Sequence, residues 1–176
     1  MTDSPWRLSD RADPAALPLA DRHYNRQKIG SPQFVPPGRC FVLLTEDRSA
    51  LWVTSWPLAK FVQHAWAGAW VNSLFRRESS PHRASDLIRW AVSHTRYRWP
   101  DVPDLGIVTF VDAGKIENDG FAGWCYIRAG WSFVGHTDGG LRAFQQLPDR
   151  KISRRSEPMP AAIPAPGTQL TFEDVA

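Results

Sequence analysis

The sequence predicts one α/β (α+β) domain built on a mixed sheet, and three observations carry that expectation. Apolar runs at residues 40–45 and 51–56 flank the turn-forming Glu46-Asp47-Arg48-Ser49, which is the pattern of a β-hairpin. A helix from Asp86 to about Tyr97 places Leu87, Ile88, Ala91, Val92 and Thr95 on one face. A nearly continuous apolar run at 105–111 follows that helix, as a buried parallel strand does.

The remaining elements follow in chain order. Residues 1–14 are polar and predict a loose arm. A short helix is expected over 17–27, with Leu17, Ala20 and Tyr24 at helical spacing. Gly30-Ser31-Pro32 and Pro36-Pro37-Gly38 punctuate the loop before the hairpin. Trp70 to Arg76 reads as a strand, and a polar loop over 77–83 leads to the amphipathic helix, with Ser85 as its expected N-cap. Pro100 and Pro103 stop that helix. After the 105–111 strand, Asp112-Ala113-Gly114 turns the chain. A short helix is expected over 121–128, closed by Gly130. Two last strands, 131–135 and 141–147, meet at a Gly139-Gly140 turn. From residue 149 the chain becomes basic (151–155) and then proline-rich (158–166), and it is expected to be extended or disordered. The domain is therefore bounded at 15–148, between an arm (1–14) and a tail (149–176).

Composition narrows the class. The chain has 176 residues, 43% hydrophobic and 22% charged, which suits a globular domain with a core. The N-terminus lacks the apolar segment of a signal peptide, and no apolar run approaches the ~20 residues that span a bilayer, so a cytoplasmic protein without a membrane partner is expected. Cys40 and Cys125 have no CxxC spacing, so both are expected buried and reduced rather than zinc-bound. Nine tryptophans supply either core or stacking surfaces; Trp66, Trp70 and Trp124 are candidates for the second role. Arg76, Arg77, His82, Arg83, Arg89, His94, Arg96 and Arg98 crowd one stretch, which is either a solvated face or a phosphate-binding surface.

The strand, basic loop and helix around residues 75–85 form a natural anion cradle, because a helix N-terminus presents unpaired N–H groups and the positive end of a dipole. Arg76, Arg77 and Arg83 would add charge-assisted hydrogen bonds. Asp112, at the carboxyl end of a buried strand, lies where open α/β sheets place ligands. It can accept a proton or a hydrogen bond, or simply form the turn before Gly114. Tyr126 can protonate a leaving thiolate or pack in the core with its hydroxyl satisfied. His23 can serve as a base, as a metal ligand beside Asp112, or as a structural hydrogen-bonder; no HxH or HExxH spacing accompanies it.

The order of these elements, with three residues between Tyr126 and Gly130-Trp131, resembles the GNAT acyltransferases. The resemblance covers roughly residues 15–148. It implies a twisted mixed sheet with splayed central strands, flanked by helices. It also implies an acyl donor such as acetyl-coenzyme A, its pyrophosphate held by Arg76, Arg77, Ser79, Ser80, Arg83, Ala84 and Ser85. Ser79-Ser80-Pro81 stands where that family usually has glycines. Asp21-Arg22-His23-Tyr24-Asn25-Arg26, followed by the Gly/Pro loop, resembles the opening of the Mom-like DNA-modification enzymes of bacteriophages. That resemblance implies transfer of a carbamoylmethyl or acetamido-type group to N6 of a flipped adenine, which protects phage DNA from restriction in the bacterial cytoplasm. His23, Tyr24, Arg76, Asp112 and Tyr126 would be the functional positions, with iron at His23 and Asp112 left open. Gln169-Leu170-Thr171-Phe172 loosely resembles a peptide that docks on the host sliding clamp. Two other readings stand beside this one: an N-acetyltransferase for a small amine or a protein, and a non-catalytic nucleic-acid-binding protein.

Overall fold

The computed structural model describes residues 3–58, 62–116 and 120–148 of the chain. The 151–155 basic run, the proline-rich stretch and the Gln169-Leu170-Thr171-Phe172 motif lie outside the described residues. The elements are β1 (Trp6–Ser9), α1 (Leu17–Asp21), β2 (Gly38–Thr45), β3 (Ala50–Pro57), β4 (Trp70–Arg77), α2 (Ala84–Arg98), β5 (Ile107–Val111), α3 (Trp124–Arg128), β6 (Ser132–His136) and β7 (Arg142–Gln146). The strands form one seven-stranded sheet in the order β1-β2-β3-β4-β5-β7-β6. All neighbours are antiparallel except β4 and β5. That parallel pair requires a crossover, and α2 supplies it.

Both faces of the central sheet are covered, which explains why β2 and β3 read as continuous apolar runs rather than alternating ones. Phe41, Leu43 and Trp52 pack on one face with Trp70, Phe144 and the α2 residues Leu87, Ile88, Ala91 and Val92. Cys40, Val42, Leu44, Leu51 and Val53 pack on the other with Leu19 and Ala20 of α1. The expected apolar face of α2 is the observed one: Leu87, Ile88, Ala91, Val92 and Thr95 are all buried. Cys40 is buried as expected, while Cys125 is only half-buried.

Four local expectations are corrected. Trp6–Ser9 is not a loose arm but the edge strand beside β2, with Trp6 opposite Thr45. The Trp6 indole is buried and donates to the Leu87 carbonyl at 2.9 Å, tying the N-terminus to α2. Four residues are too short to show strand periodicity, so only the long-range pairing decides them. Helix α1 ends at Asp21, so Tyr24 lies in the loop behind it rather than on the helix. Ser85 is not the cap of α2; Arg83 holds that position in extended conformation, and no side chain caps the helix. Trp70 is a core residue rather than a stacking wall, since it is 1% exposed.

Two backbone features shape the centre of the sheet. Gly106 enters β5 at φ +64°, where an added Cβ would sit 2.0 Å from the Gln146 carbonyl oxygen, so only glycine lets β5 pass this close to β7. On the other side, β4 and β5 pair only through Trp70–Ile107, Val71–Val108 and Asn72–Thr109. Beyond that point β4 runs on to Arg77 and β5 to Val111 with no further pair between them among the described residues. At the same level the β3–β4 register shifts between Val53 and Thr54, which leaves Ser73 as a bulge residue.

A candidate active site in the cleft between β4 and β5

A cleft of about 120 Å³ opens where the parallel ladder stops. Its floor and walls come from β4 (Asn72, Ser73, Leu74 and Phe75), β5 (Thr109, Phe110 and Val111), the loop after α1 (His23, Tyr24 and Asn25) and α3 (Cys125 and Tyr126). Three of the four expected catalytic residues, His23, Tyr24 and Tyr126, therefore line one cavity. The fourth, Asp112, follows the cleft residue Val111, and its backbone N–H donates to the Tyr24 hydroxyl at 3.4 Å.

Each of these groups has a defined chemical state. His23 is 8% exposed and stacks on Tyr24 with ring centroids 4.4 Å apart. Burial, and next the Arg76 guanidinium, pushes its pKa down to about 4, so the ring is neutral at pH 7. The Asn25 N–H donates to its Nδ1 at 3.2 Å, which leaves the ring proton on Nε2. His23 in this state is a hydrogen-bond donor and not a proton acceptor at Nδ1. Burial raises the pKa of Tyr24, which stays protonated. Because Tyr24 accepts from Asp112, its own proton remains available to a ligand.

Tyr126 differs from Tyr24. It is buried, its pKa lies well above the usual tyrosine value because of that burial, and its hydroxyl donates to the Asn72 Oδ1 at 2.6 Å. The Asn72 carboxamide is the hub of the cleft floor. Its Nδ2 donates to the Val53 carbonyl (3.0 Å) and the Leu74 carbonyl (2.9 Å), bridging the bulge. Its Oδ1 accepts from Tyr126 and also from the Thr109 hydroxyl at 3.3 Å. Asp112 Oδ1 caps the short turn at Ala113–Lys115 by accepting from the Gly114 N–H at 3.0 Å. Its Oδ2 lies 3.6 Å from the Lys115 Nζ, and the side chain is 26% exposed.

The expected anion loop follows the cleft directly. Arg76 Nε pairs with Glu78 at 2.8 Å, and Arg22 pairs with the same carboxylate at 2.7 Å. Two guanidiniums thus share one carboxylate beside His23 and leave net positive charge there. Arg77 is spent on the loop itself, donating to the carbonyls of His82 (2.8 Å) and Ser80 (2.7 Å). Ser79 holds a left-handed φ of 47°, and Ser80 is buried. Ala84 and Ser85 form the first turn of α2, and the Arg83 side chain is exposed beside it. Among the described residues no group of three or more His, Cys, Asp or Glu side chains is arranged to hold a metal ion. No described helix is long and apolar enough to cross a membrane.

Sequence reasoning missed Asn72, Thr109, Phe110 and Glu78. The one available signal was Asn72 itself, a carboxamide inside the otherwise strand-favouring Trp70-Val71-Asn72-Ser73-Leu74-Phe75. Comparison of the chain with protein-family models, curated proteins and solved structures gives no match.

The buried histidine has a consequence for stability. His23 binds its proton less readily in the folded chain than at its ordinary pKa of 6.5. Stability is therefore complete above about pH 6.5 and falls as pH drops from 6.5 toward 4. Glu78, held down to about 2 by Arg22 first and Arg76 second, adds a further loss between its ordinary 4.5 and about 2. Urea midpoints measured from pH 8 to pH 3 should show both declines. The buried His94 and the half-buried His64, whose pKa values burial also lowers, contribute to the upper decline, so His23→Gln should shrink it and keep the lower, and an unchanged upper decline in that variant contradicts the assignment.

Proposed function

We propose that this chain is a GNAT-type transferase. Its element order, the single parallel pair at β4 and β5, and the cleft where that pair ends support this class. Within the class, we propose an enzyme that modifies N6 of adenine in DNA, which is the activity implied by the resemblance of Asp21-Arg22-His23-Tyr24-Asn25-Arg26 to Mom-like proteins.

The observation that carries the proposal is the meeting of His23, Tyr24 and Tyr126 at one cleft, with the Asp112 backbone N–H donating to the Tyr24 hydroxyl across 88 residues of sequence. N6 of adenine is a weak nucleophile, so the site must orient it, remove its proton and protonate the leaving group. For an acyl thioester donor such as acetyl-coenzyme A, one C–N bond forms and one C–S bond breaks. In this assignment the N6 proton passes to the Asp112 carboxylate, and the departing thiolate takes the Tyr24 phenolic proton. The Nε2–H of His23 and the net positive charge of the Arg22–Glu78–Arg76 group favour negative charge developing on the acyl oxygen. Tyr126, its proton committed to Asn72, positions the floor. The first turn of α2 with Arg83 would receive the donor's phosphates.

The test is direct. Expressing the protein in bacteria and weighing the nucleosides of digested plasmid DNA should reveal a deoxyadenosine of increased mass. Unmodified DNA together with acetyl-coenzyme A turnover on small amines would replace this reading with that of an ordinary N-acetyltransferase.

A further inference from the structure

Beside the cleft, at its lining residue Phe110, three rings meet outside the core. The His64 and Phe110 ring centroids lie 4.7 Å apart, Trp66 and Phe110 5.7 Å apart, and His64 and Trp66 6.2 Å apart. All three side chains are half-buried, unlike Trp52 and Trp70, which the core encloses. Phe110 lines the cleft beside Thr109 and Val111, so the cluster is continuous with the site that holds Tyr24 and Tyr126. The Trp66 N–H donates to the His64 Nδ1 at 3.1 Å, and the Ala69 N–H donates to the Trp66 carbonyl at 3.1 Å, which holds the segment in place before any ligand arrives.

We propose that His64, Trp66 and Phe110 form a stacking shelf for one unpaired nucleobase of the acceptor DNA strand. The inference rests on the transferase reading of the cleft and names where that reaction's acceptor base lies. A packed core uses aromatic rings to exclude water, whereas half-exposed rings beside an open cleft offer flat apolar faces that match the π-face of a base. A base extruded from a duplex needs such a wall, because it must replace the stacking it loses. The Arg22–Glu78–Arg76 group, whose Arg76 acts on the cleft residue His23, supplies positive charge for the attached phosphate.

The test compares binding of a short single-stranded oligodeoxyadenylate with that of an abasic strand of equal length, both read by fluorescence anisotropy on the full chain. The wild type should prefer the strand that carries bases. Trp66→Leu and Phe110→Leu should each weaken binding of that strand by about five- to one-hundred-fold, leave abasic binding unchanged, and keep the wild-type unfolding midpoint to within a few degrees. Trp66→Phe should restore most of the preference. Leucine variants that retain the preference, that lose affinity equally for both strands, or that lose affinity only for acetyl-coenzyme A, whose adenine is the other base in reach, overturn the proposal. Base-dependent binding without any modified nucleoside in cells would keep the shelf and remove the transferase reading. Modified DNA with an unchanged preference in the leucine variants would remove the shelf alone.

Discussion

Asn72→Leu is expected to lower the free energy of unfolding by about 3–5 kcal/mol, near the top of the range for a single substitution. Leucine keeps the branching and heavy-atom count of asparagine, so most of the loss reflects hydrogen bonding, with a smaller part from fitting two methyl groups. The side chain is 4% exposed and serves three partners that depend on it, the Val53 and Leu74 carbonyls through Nδ2 and the Tyr126 hydroxyl through Oδ1, while the Thr109 hydroxyl keeps its 3.1 Å bond to the Asn72 main-chain carbonyl. Its removal leaves several buried groups at the β3–β4 bulge and the cleft floor without their partner, each costing about 1–3 kcal/mol, with part of the sum relieved by relaxation. Equilibrium urea unfolding measures the effect. Asn72→Asp provides the chemical control, because it keeps the acceptor and turns the donor into an oxygen facing two carbonyls. It should be as destabilising as leucine at pH 7, and less so as the pH falls and the carboxyl regains a proton to donate. A cost near 1 kcal/mol for leucine would show that the hub contributes little.

Tyr24→Phe is expected to cut turnover by about a hundred- to ten-thousand-fold, the range for loss of a positioned proton donor. Stability should change by less than about 1 kcal/mol, since among the described residues the hydroxyl's one bond is the long contact from the Asp112 N–H. The ring, its stacking on His23 and the shape of the cleft all remain. Tyr126→Phe makes the contrast. That hydroxyl is bound to Asn72 inside the core, so its loss should act on stability first and on turnover less. Rates of nucleoside modification, measured beside unfolding midpoints, separate the two tyrosines. A larger catalytic loss in Tyr126→Phe than in Tyr24→Phe would exchange their roles.

Much of the sheet was legible before any coordinates. The hairpin of β2 and β3 announced itself through two apolar runs and four turn-forming residues. The periodicity gave five of the buried residues of α2 and missed His94, which is buried against Ser4 rather than facing solvent. The run at 105–111 predicted a parallel strand, and β5 pairs in parallel with β4. Each of these signals is local: a repeat of two or 3.6 residues is written in neighbours that the reader can see together. The Asx turn at Asp112 belongs to the same class, since its hydrogen bond spans two residues.

The sequence by itself thus determined the β2–β3 hairpin, the strands β4 and β5 and the apolar face of α2, but not the edge strand β1 or the end of α1. Only the tertiary structure decided that Trp6 is core, that Trp70 is enclosed while Trp66 is open, and that Asn72 joins Tyr126 across 54 residues. Burial and hydrogen-bond partnership are properties of pairs brought together by folding. A side chain's neighbours along the chain carry no record of them, and the cleft lies where the pairing of β4 with β5 ends, at Asn72 and Thr109.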